Sequence, residues 1–217
     1  MSKTIKIENF NDHIFDGMSI MVGGFMGVGT PEFLIDEIVK LGTKDITIIC
    51  NDAGLVNRGV GKLILNGQVK KLIASHIGLN PEAGRLMSEG KMECELVPQG
   101  TLAEQIRAGG AGLGGVLTPT GIGTMVENDK KIISLEGKKY IVEPAMKADL
   151  ALIYGSLVDK YGNTQYSKTT RNFNPVMATA TKHVIVLARK LVEEMNPDQV
   201  LTPHIFIDNI IEEAQNG

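Results

Sequence analysis

Short β-branched runs that alternate with helix-period segments constrain this chain more than any other feature. Met18–Gly23 (MSIMVG) is an apolar run that ends in a glycine pair, and Pro31–Leu41 follows it with Phe33, Leu34, Ile38 and Leu41 at helical spacing. Ile46–Cys50 (ITIIC) reads as a buried strand and Val60–Asn66 as a short helix. Val69–Ser75, Pro81–Glu89, Met92–Val97 and Leu102–Ala108 then repeat strand, helix, strand, helix. Four strand–helix units with short loops predict a parallel sheet covered by helices on both faces. The second half is less regular. Ile132–Leu135 and Lys139–Val142 read as a hairpin about Glu136-Gly137, Asp149–Tyr154 and His183–Ala188 as further strands, and Ile207–Ala214 as a closing amphipathic helix. With no polar Pro/Gly/Ser linker and no repeat, the expectation is a single α/β domain over residues 1–217, mainly a parallel sheet with an irregular, mixed C-terminal part.

Charge and composition exclude several classes. Lys+Arg 22 against Asp+Glu 25 leaves a net charge of −3, so the basic field of a nucleic-acid or anionic-membrane binder is missing. Cys50 and Cys94 form neither a disulfide framework nor a metal-ligand spacing, which points to a reducing cytoplasm and to no metal site. The N-terminal MSKTIKIENF carries charges where a signal peptide has its apolar core. The uncharged stretch Ala108–Val126 holds seven glycines and Pro119, so it reads as a loop system rather than a membrane span.

Ligands of open α/β sheets bind beyond the C-terminal ends of the strands, so the residues there carry the functional reading. After the first strand comes GGFMGVGTP. Its glycines let a ligand approach the backbone, Thr30 stands where a helix N-cap belongs, and Pro31 occupies the first helical position. The loop matches neither the dinucleotide nor the P-loop fingerprint. Glu32 would repel a diphosphate at the helix end, so a thioester or pantetheine-like chain suits the loop better than bare phosphates. A plain tight turn, with glycines at positive φ, is the competing reading.

After the second strand, Asn51 offers a carboxamide to a developing oxyanion, or closes the strand as an Asx-turn. After the third, His76 is an acid/base candidate, or a packed histidine; the other histidines, His13, His183 and His204, show no clustering. After the fourth, Thr101 and Glu104 form a capping box, which fixes Gln99 at the strand edge beside the same crevice. Gln99 can donate to a carboxylate or carbonyl there, or lie in solvent. Arg107–Thr124, including the Gly109–Gly115 loop, is too glycine-rich for regular structure and reads as a wall or lid of the site, with disorder as the competing reading. There is no G-x-S-x-G elbow, no H-E-x-x-H, and no plausible Ser/His/Asp grouping. Ser88-Glu89-Gly90 lies at a helix end on the wrong side of the sheet. The crevice therefore offers donors and backbone but neither nucleophile nor base.

These residues carry a resemblance. DGMSIMVGGFMGVGTP, Asn51-Asp52, IASHIGLNPEAGR, VPQGTLAEQIRAGGAGLGGVLTPTGIGT and TRNFNP together resemble the family I coenzyme A transferases, over nearly the whole chain. The length is similar to that of a separate α subunit of the bacterial acetate, acetoacetate or butyrate enzymes. The resemblance implies reversible CoA transfer between a short-chain acyl-CoA and a free carboxylate. A glutamate of a β subunit would pass through an acyl-glutamyl anhydride and a glutamyl-CoA thioester, in an α₂β₂ assembly. It further implies that Asn51 supplies an oxyanion donor, that Gln99 contacts the acyl or carboxylate group, and that Gly24, Phe25, Met26, Gly27, Val28, Gly29 and Thr30 form the CoA-binding loop. CoA is then a substrate and no cofactor is held permanently. Two rivals remain at the level of the residues: a sugar-phosphate isomerase on a similar sheet, which needs Lys or Arg near the glycine loop, and a non-catalytic acyl-CoA-binding module.

Overall fold

The computed structural model describes residues 3–213. Its central sheet has seven strands in the order β13-β11-β8-β1-β2-β3-β4, every neighbouring pair parallel. The first half of the chain builds β1 (Ser19–Val22), β2 (Ile46–Cys50), β3 (Val69–Ala74) and β4 (Glu93–Leu96). The second half adds β8 (Ala148–Gly155), β11 (Thr181–Ala188) and β13 (Asn209–Glu212) on the other side of β1. Two smaller antiparallel or mixed sheets complete the structure. One joins β5 (Gly115–Thr118), β6 (Ile132–Leu135) and β7 (Lys138–Pro144), and the other joins β9 (Leu157–Asp159), β10 (Thr164–Gln165) and β12 (Leu191–Val192).

The helices are α1 (Ile7–Phe10), α2 (Glu32–Leu41), α3 (Gly61–Leu65), α4 (Pro81–Ser88), α5 (Gln99–Gly110) and α6 (Asn174–Met177). They cover both faces of the sheet, as the unbroken apolar strands require. On one face Leu34 and Ile38 of α2, Leu63 of α3 and Ala83 of α4 pack on Ile20, Ile48 and Leu72. On the other, Leu102 and Ile106 of α5 and Met177 of α6 pack on Met21, Ile49 and Ile153. Gly42, at φ 66, ends α2 by donating its N–H to the Val39 carbonyl. Asn80 caps α4 by accepting from the Ala83 N–H, and its amide reaches across to the Ala53 carbonyl, tying α4 to the loop after β2.

Five expectations are corrected. The segment from Ile207 is not a helix: Asn209–Glu212 forms strand β13, paired with β11 through Ile210 and Ile211; Ala214 lies outside the described residues. Ile207, Ile210 and Ile211 are all buried, a spacing that fits a helix face as well as a covered edge strand, and the parallel ladder decides it. Thr30 is not the N-cap of α2; Pro31 is, with no side-chain cap bond. Thr101 and Glu104 make no capping box, because α5 starts two residues earlier at Gln99, leaving Thr101 on the helix's buried face and Glu104 paired outward with Arg107.

Residues 107–124 are partly regular: α5 runs to Gly110 and Gly115–Thr118 pairs with β7 as β5. A Cβ at Gly109 would stand 2.0 Å from the Met146 carbonyl oxygen, and one at Gly110 2.0 Å from Thr179 Oγ1. These glycines mark close packing of helix against chain, not a loose loop. Finally, the histidines do include a cluster, the rings of His13 and His183 stacked with centroids 4.4 Å apart. His183 lies near the start of β11, away from the strand C-termini, and burial together with His183 lowers the pKa of His13.

Candidate active site

The C-terminal ends of β1 and β2 deliver the two loops that make the site. Residues 23–30 leave β1 as a turn closed by two hydrogen bonds, Phe25 N–H to the Val28 carbonyl and Val28 N–H to the Phe25 carbonyl. Met26, Gly27 and Gly29 all have positive φ, and a Cβ at Gly29 would meet the Thr170 carbonyl at 2.8 Å. The loop is pinned from outside by the TRNFNP segment. Asn172 accepts the Gly24 N–H through Oδ1 and donates Nδ2 to the Val28 carbonyl, at 3.1 and 2.9 Å. Asn174 donates to the Gly29 carbonyl at 3.0 Å, and its Oδ1 accepts the Tyr154 N–H. Two motifs distant in the chain are thus tied together by side-chain amides.

Not every backbone donor of that loop faces a ligand. The N–H groups of Gly24, Phe25, Met26 and Val28 are spent within the protein; those of Gly27 and Gly29 have no partner among the described residues. The loop tip is instead apolar and open, with Phe25, Met26 and Val28 between 42% and 47% exposed. The space on the Thr30 and Asp52 side is only about 10 Å³, no more than one water molecule needs. A ligand reaching the loop therefore lies against the Phe25 side.

Behind the loop is a chain of three polar side chains. Gln99, the first residue of α5, donates Nε2 to Asn51 Oδ1 at 2.6 Å, and Asn51 donates Nδ2 to Asp52 Oδ2 at 2.8 Å. Asp52 also accepts the Met26 N–H through Oδ2 and the Gly54 N–H through Oδ1. A carboxylate only accepts, so Asp52 fixes which end of the Asn51 amide faces it, and Asn51 in turn orients Gln99. The Asx-turn expected of Asn51 is made by Asp52. Asn51 itself is 1% exposed, whereas Gln99 reaches the surface of a cavity. Cys50 next door is fully enclosed, and burial pushes its thiol pKa well up, so it is an inert neutral group.

That cavity measures about 750 Å³ and is bordered by Phe25, Gln99 and Phe173 at its loop end. The sequence reading placed Asn51, Gln99 and the glycine loop together, and the structure joins them. His76 is not joined: only its backbone bridges to Asp52, its ring lies beside Gly78, and the residue is exposed rather than packed. The charge expected at Glu32 is also corrected. Lys62 Nζ lies 2.9 Å from Glu32 and 2.6 Å from Asp36, Arg58 Nε is 3.6 Å from Glu32, and Glu32 accepts the Gly59 N–H. Glu32 is neutralised in place and repels little. Sequence reasoning missed Asp52 as the anchor of the amides; an Asp directly after an Asn at a strand end was the signal available.

The fold is a parallel sheet with a glycine turn after its first strand and a linked set of amides, Gln99 and Asn51, at the neighbouring strand ends. Residues 4–213 match the model of the Coenzyme A transferase family, and the chain belongs to that family. It is 54% identical, over 98% of both chains, to the acetoacetyl-CoA:acetate/butyrate CoA transferase alpha subunit of Clostridium acetobutylicum. It is 50% identical to the acetate CoA-transferase subunit alpha of Escherichia coli K12, covering 97% of this chain and 96% of that one. Among solved structures, an acyl-CoA transferase of E. coli O157:H7 in a thioester complex with CoA matches with a TM-score of 0.87 at 22% identity. That match covers all of this chain and 48% of the other, so this chain spans about half of it. Glutaconate coenzyme A-transferase of Acidaminococcus fermentans gives a TM-score of 0.85 at 19% identity, over 97% of this chain and 75% of that one. These two likenesses speak for the fold. Among the described residues no helix is long and apolar enough to cross a membrane, and no cluster of three metal-ligating side chains occurs.

Proposed function

We propose that this chain is the α subunit of a short-chain acyl-CoA:carboxylate CoA-transferase acting on acetate, butyrate or acetoacetate, in an α₂β₂ assembly with a β subunit in the cytoplasm. The observation that carries this reading is the chemistry of the cavity wall. Amide and guanidinium donors border it, together with apolar side chains and the hydroxyl of Thr179, which is spent on the Val176 carbonyl, and no carboxylate, thiol or imidazole among the described residues does. A site built to polarise a carbonyl without a group to attack it needs its nucleophile from another chain.

The partner's glutamate attacks the acyl thioester carbonyl, and negative charge grows on the carbonyl oxygen. Gln99 borders the cavity and donates Nε2 to the Oδ1 of the buried Asn51 at 2.6 Å, so the amide pair that would stabilise this charge is ordered before substrate arrives. Collapse of the tetrahedral intermediate expels CoA thiolate and leaves an acyl-glutamyl anhydride. The thiolate then attacks the glutamyl carbonyl, releasing the first carboxylate and forming glutamyl-CoA. A second carboxylate runs the same two steps backwards. One thioester replaces another, so neither ATP nor a metal is consumed. The loop Gly24–Thr30 receives the thioester end of CoA: its tip offers apolar side chains to the methylene segments of the pantetheine arm, and the N–H groups of Gly27, Gly29 and Thr30, which have no partner among the described residues, can meet its amide carbonyls.

The test is subunit mixing. This chain alone should not exchange butyryl-CoA with acetate, and adding a β subunit of the family should restore exchange. Robust turnover by the lone chain, or a covalent CoA thioester trapped on one of its own glutamates, overturns the reading.

A further inference from the structure

At the end of the sheet away from the amides, two imidazoles lie one on the other. The rings of His13 and His183 are stacked, with centroids 4.4 Å apart and planes inclined by 18°. His183 stands near the start of β11, and His13 closes the turn Asn11–His13 that follows α1. Both line a cavity of about 320 Å³, together with Asp12, Asp149 and Lys182. The stack joins the N-terminal strap, residues 3–14, to the sheet. The first residues of that strap run beside β13, the outermost strand: Ile5 donates its N–H to the Ile210 carbonyl, and Ile210 donates to the Lys3 carbonyl. The strap thus occupies a hydrogen-bonding edge that β13 would otherwise leave open to another chain. Phe10 is fully buried beneath it, and Ile5, Ile7 and Ile14 pack on the same core.

The charged groups around the stack treat its two rings differently. His183 turns both ring nitrogens toward acceptors, Nε2 at 2.8 Å from Asn209 Oδ1 and Nδ1 at 3.6 Å from Asp208 Oδ2. The Val184 N–H fixes that Asp208 oxygen at 2.8 Å. His183 can therefore carry a second proton without losing a contact. His13 forms no ion pair among the described residues. Burial, and then His183, push its pKa below the ordinary 6.5, against the weaker pull of Asp12 and Asp208. Lys182, across the cavity, is taken by Asp149 of β8 at 2.8 Å. Because the folded pKa of His13 lies below the unfolded one, what the neutral ring contributes is complete above about pH 6.5 and is lost as pH falls through the folded value.

We propose that the His13–His183 stack is a pH-sensitive clasp: neutral, it holds the strap on the edge of the sheet, and with both rings charged below about pH 6 it lifts and bares the edge of β13. Two imidazoliums at stacking distance repel, and their separation is well inside the Debye length of roughly 8–10 Å, so salt screens them little. The clasp controls access to the open edge of the central sheet, and no residue of the acyl site takes part.

Hydrogen exchange on the full chain tests this. One pKa unit of coupling between ring and strap is a tenfold change in the opening equilibrium. Between about pH 7.5 and about pH 5.5, after correction for intrinsic rates, protection of the Ile5 and Ile210 amides should fall about tenfold or more. The Thr47 amide, bonded to the Met18 carbonyl in the middle of the sheet, should keep its protection. His13→Phe leaves a flat ring on His183 but cannot take a proton, and should hold the protection of Ile5 and Ile210 nearly level over the same range. Ring titration by NMR gives a readout that mere loosening does not mimic. The midpoint of His13 should lie below that of a free histidine, and should rise when His183→Gln removes the neighbouring charge. An equal fall of protection in His13→Phe, no fall in the wild-type chain, a His13 midpoint unmoved by His183→Gln, or loss of Thr47 protection alongside the strap overturns the clasp.

Discussion

Replacing Asn51 by alanine probes the amide pair at its centre. The substitution removes the acceptor of the Gln99 amide, at 2.6 Å, and one of two donors to Asp52 Oδ2, at 2.8 Å; Met26 N–H still holds that oxygen. Loss of one well-placed oxyanion donor raises a barrier by roughly 2.7–4 kcal/mol, or about 10²–10³ in kcat. The folded state loses less. One buried pairing goes and Gln99 regains water at the cavity wall, so stability should fall by about 1–3 kcal/mol. The assay is butyryl-CoA plus acetate exchange in the assembled enzyme, with subunit assembly checked by size.

A cycle separates contact from positioning. Because Asn51 is buried and Gln99 borders the cavity, Gln99→Ala should lose activity on a similar scale, and the double variant should be hardly worse than either single one. A kcat loss below threefold for Asn51→Ala in correctly assembled enzyme would remove the amide from the oxyanion role. Strict additivity of the two losses would break the link between them.

Two further outcomes concern stability. The Lys182 ammonium, and then the Ser19 backbone N–H and hydroxyl, hold the Asp149 carboxyl down at about 2. Its folded pKa is below the unfolded value, so the stabilisation is present above about pH 4 and is lost as pH falls toward 2; discounted for partial solvent exposure it is about 1 kcal/mol. Asp149→Asn should flatten the urea midpoint over that window, and an unchanged slope would contradict the pairing. At the small sheet, Lys130 Nζ lies 2.6 Å from the fully buried Glu143, whose other oxygen takes the Gln105 amide. Lys130→Met strands that carboxylate and should cost about 3 kcal/mol, with Glu143→Gln in the same chain recovering most of it. A loss under 1 kcal/mol in the urea midpoint would show that water replaces the lysine.

Much of the architecture was legible because the first three strands are short apolar runs carrying β-branched residues, each followed by a segment of helical spacing. The hairpin was legible for a similar reason: Glu136 and Gly137, both at positive φ, make the tight turn their sequence suggests. Failures fall where local pattern and tertiary packing compete. Residues 109–115 look flexible by composition, but Gly109, Gly110 and Gly115 admit Met146, Thr179 and Glu143, neighbours distant in sequence. Ile207–Ile211 fits two periods equally, and only the β11 ladder chooses between them. At the site, Asn51, Gln99 and the glycine loop could be named because strand ends converge in such folds. Their order of hydrogen bonding, with Asp52 at its root, depends on distances no linear spacing encodes. Glu32 likewise read as a repulsive charge until Lys62, 30 positions on, lay beside it.

The two ends of the described chain meet at one place: Ile210 donates its N–H to the Lys3 carbonyl, and Ile5 donates to the Ile210 carbonyl. That seam lies on the outermost strand, across the sheet from β4. A few linking residues could therefore splice these ends, and fresh termini could be opened at Glu136-Gly137 by circular permutation. The reordered gene would encode the same sheet and leave the cradle of amides untouched, because nothing in that cradle depends on where the polypeptide starts.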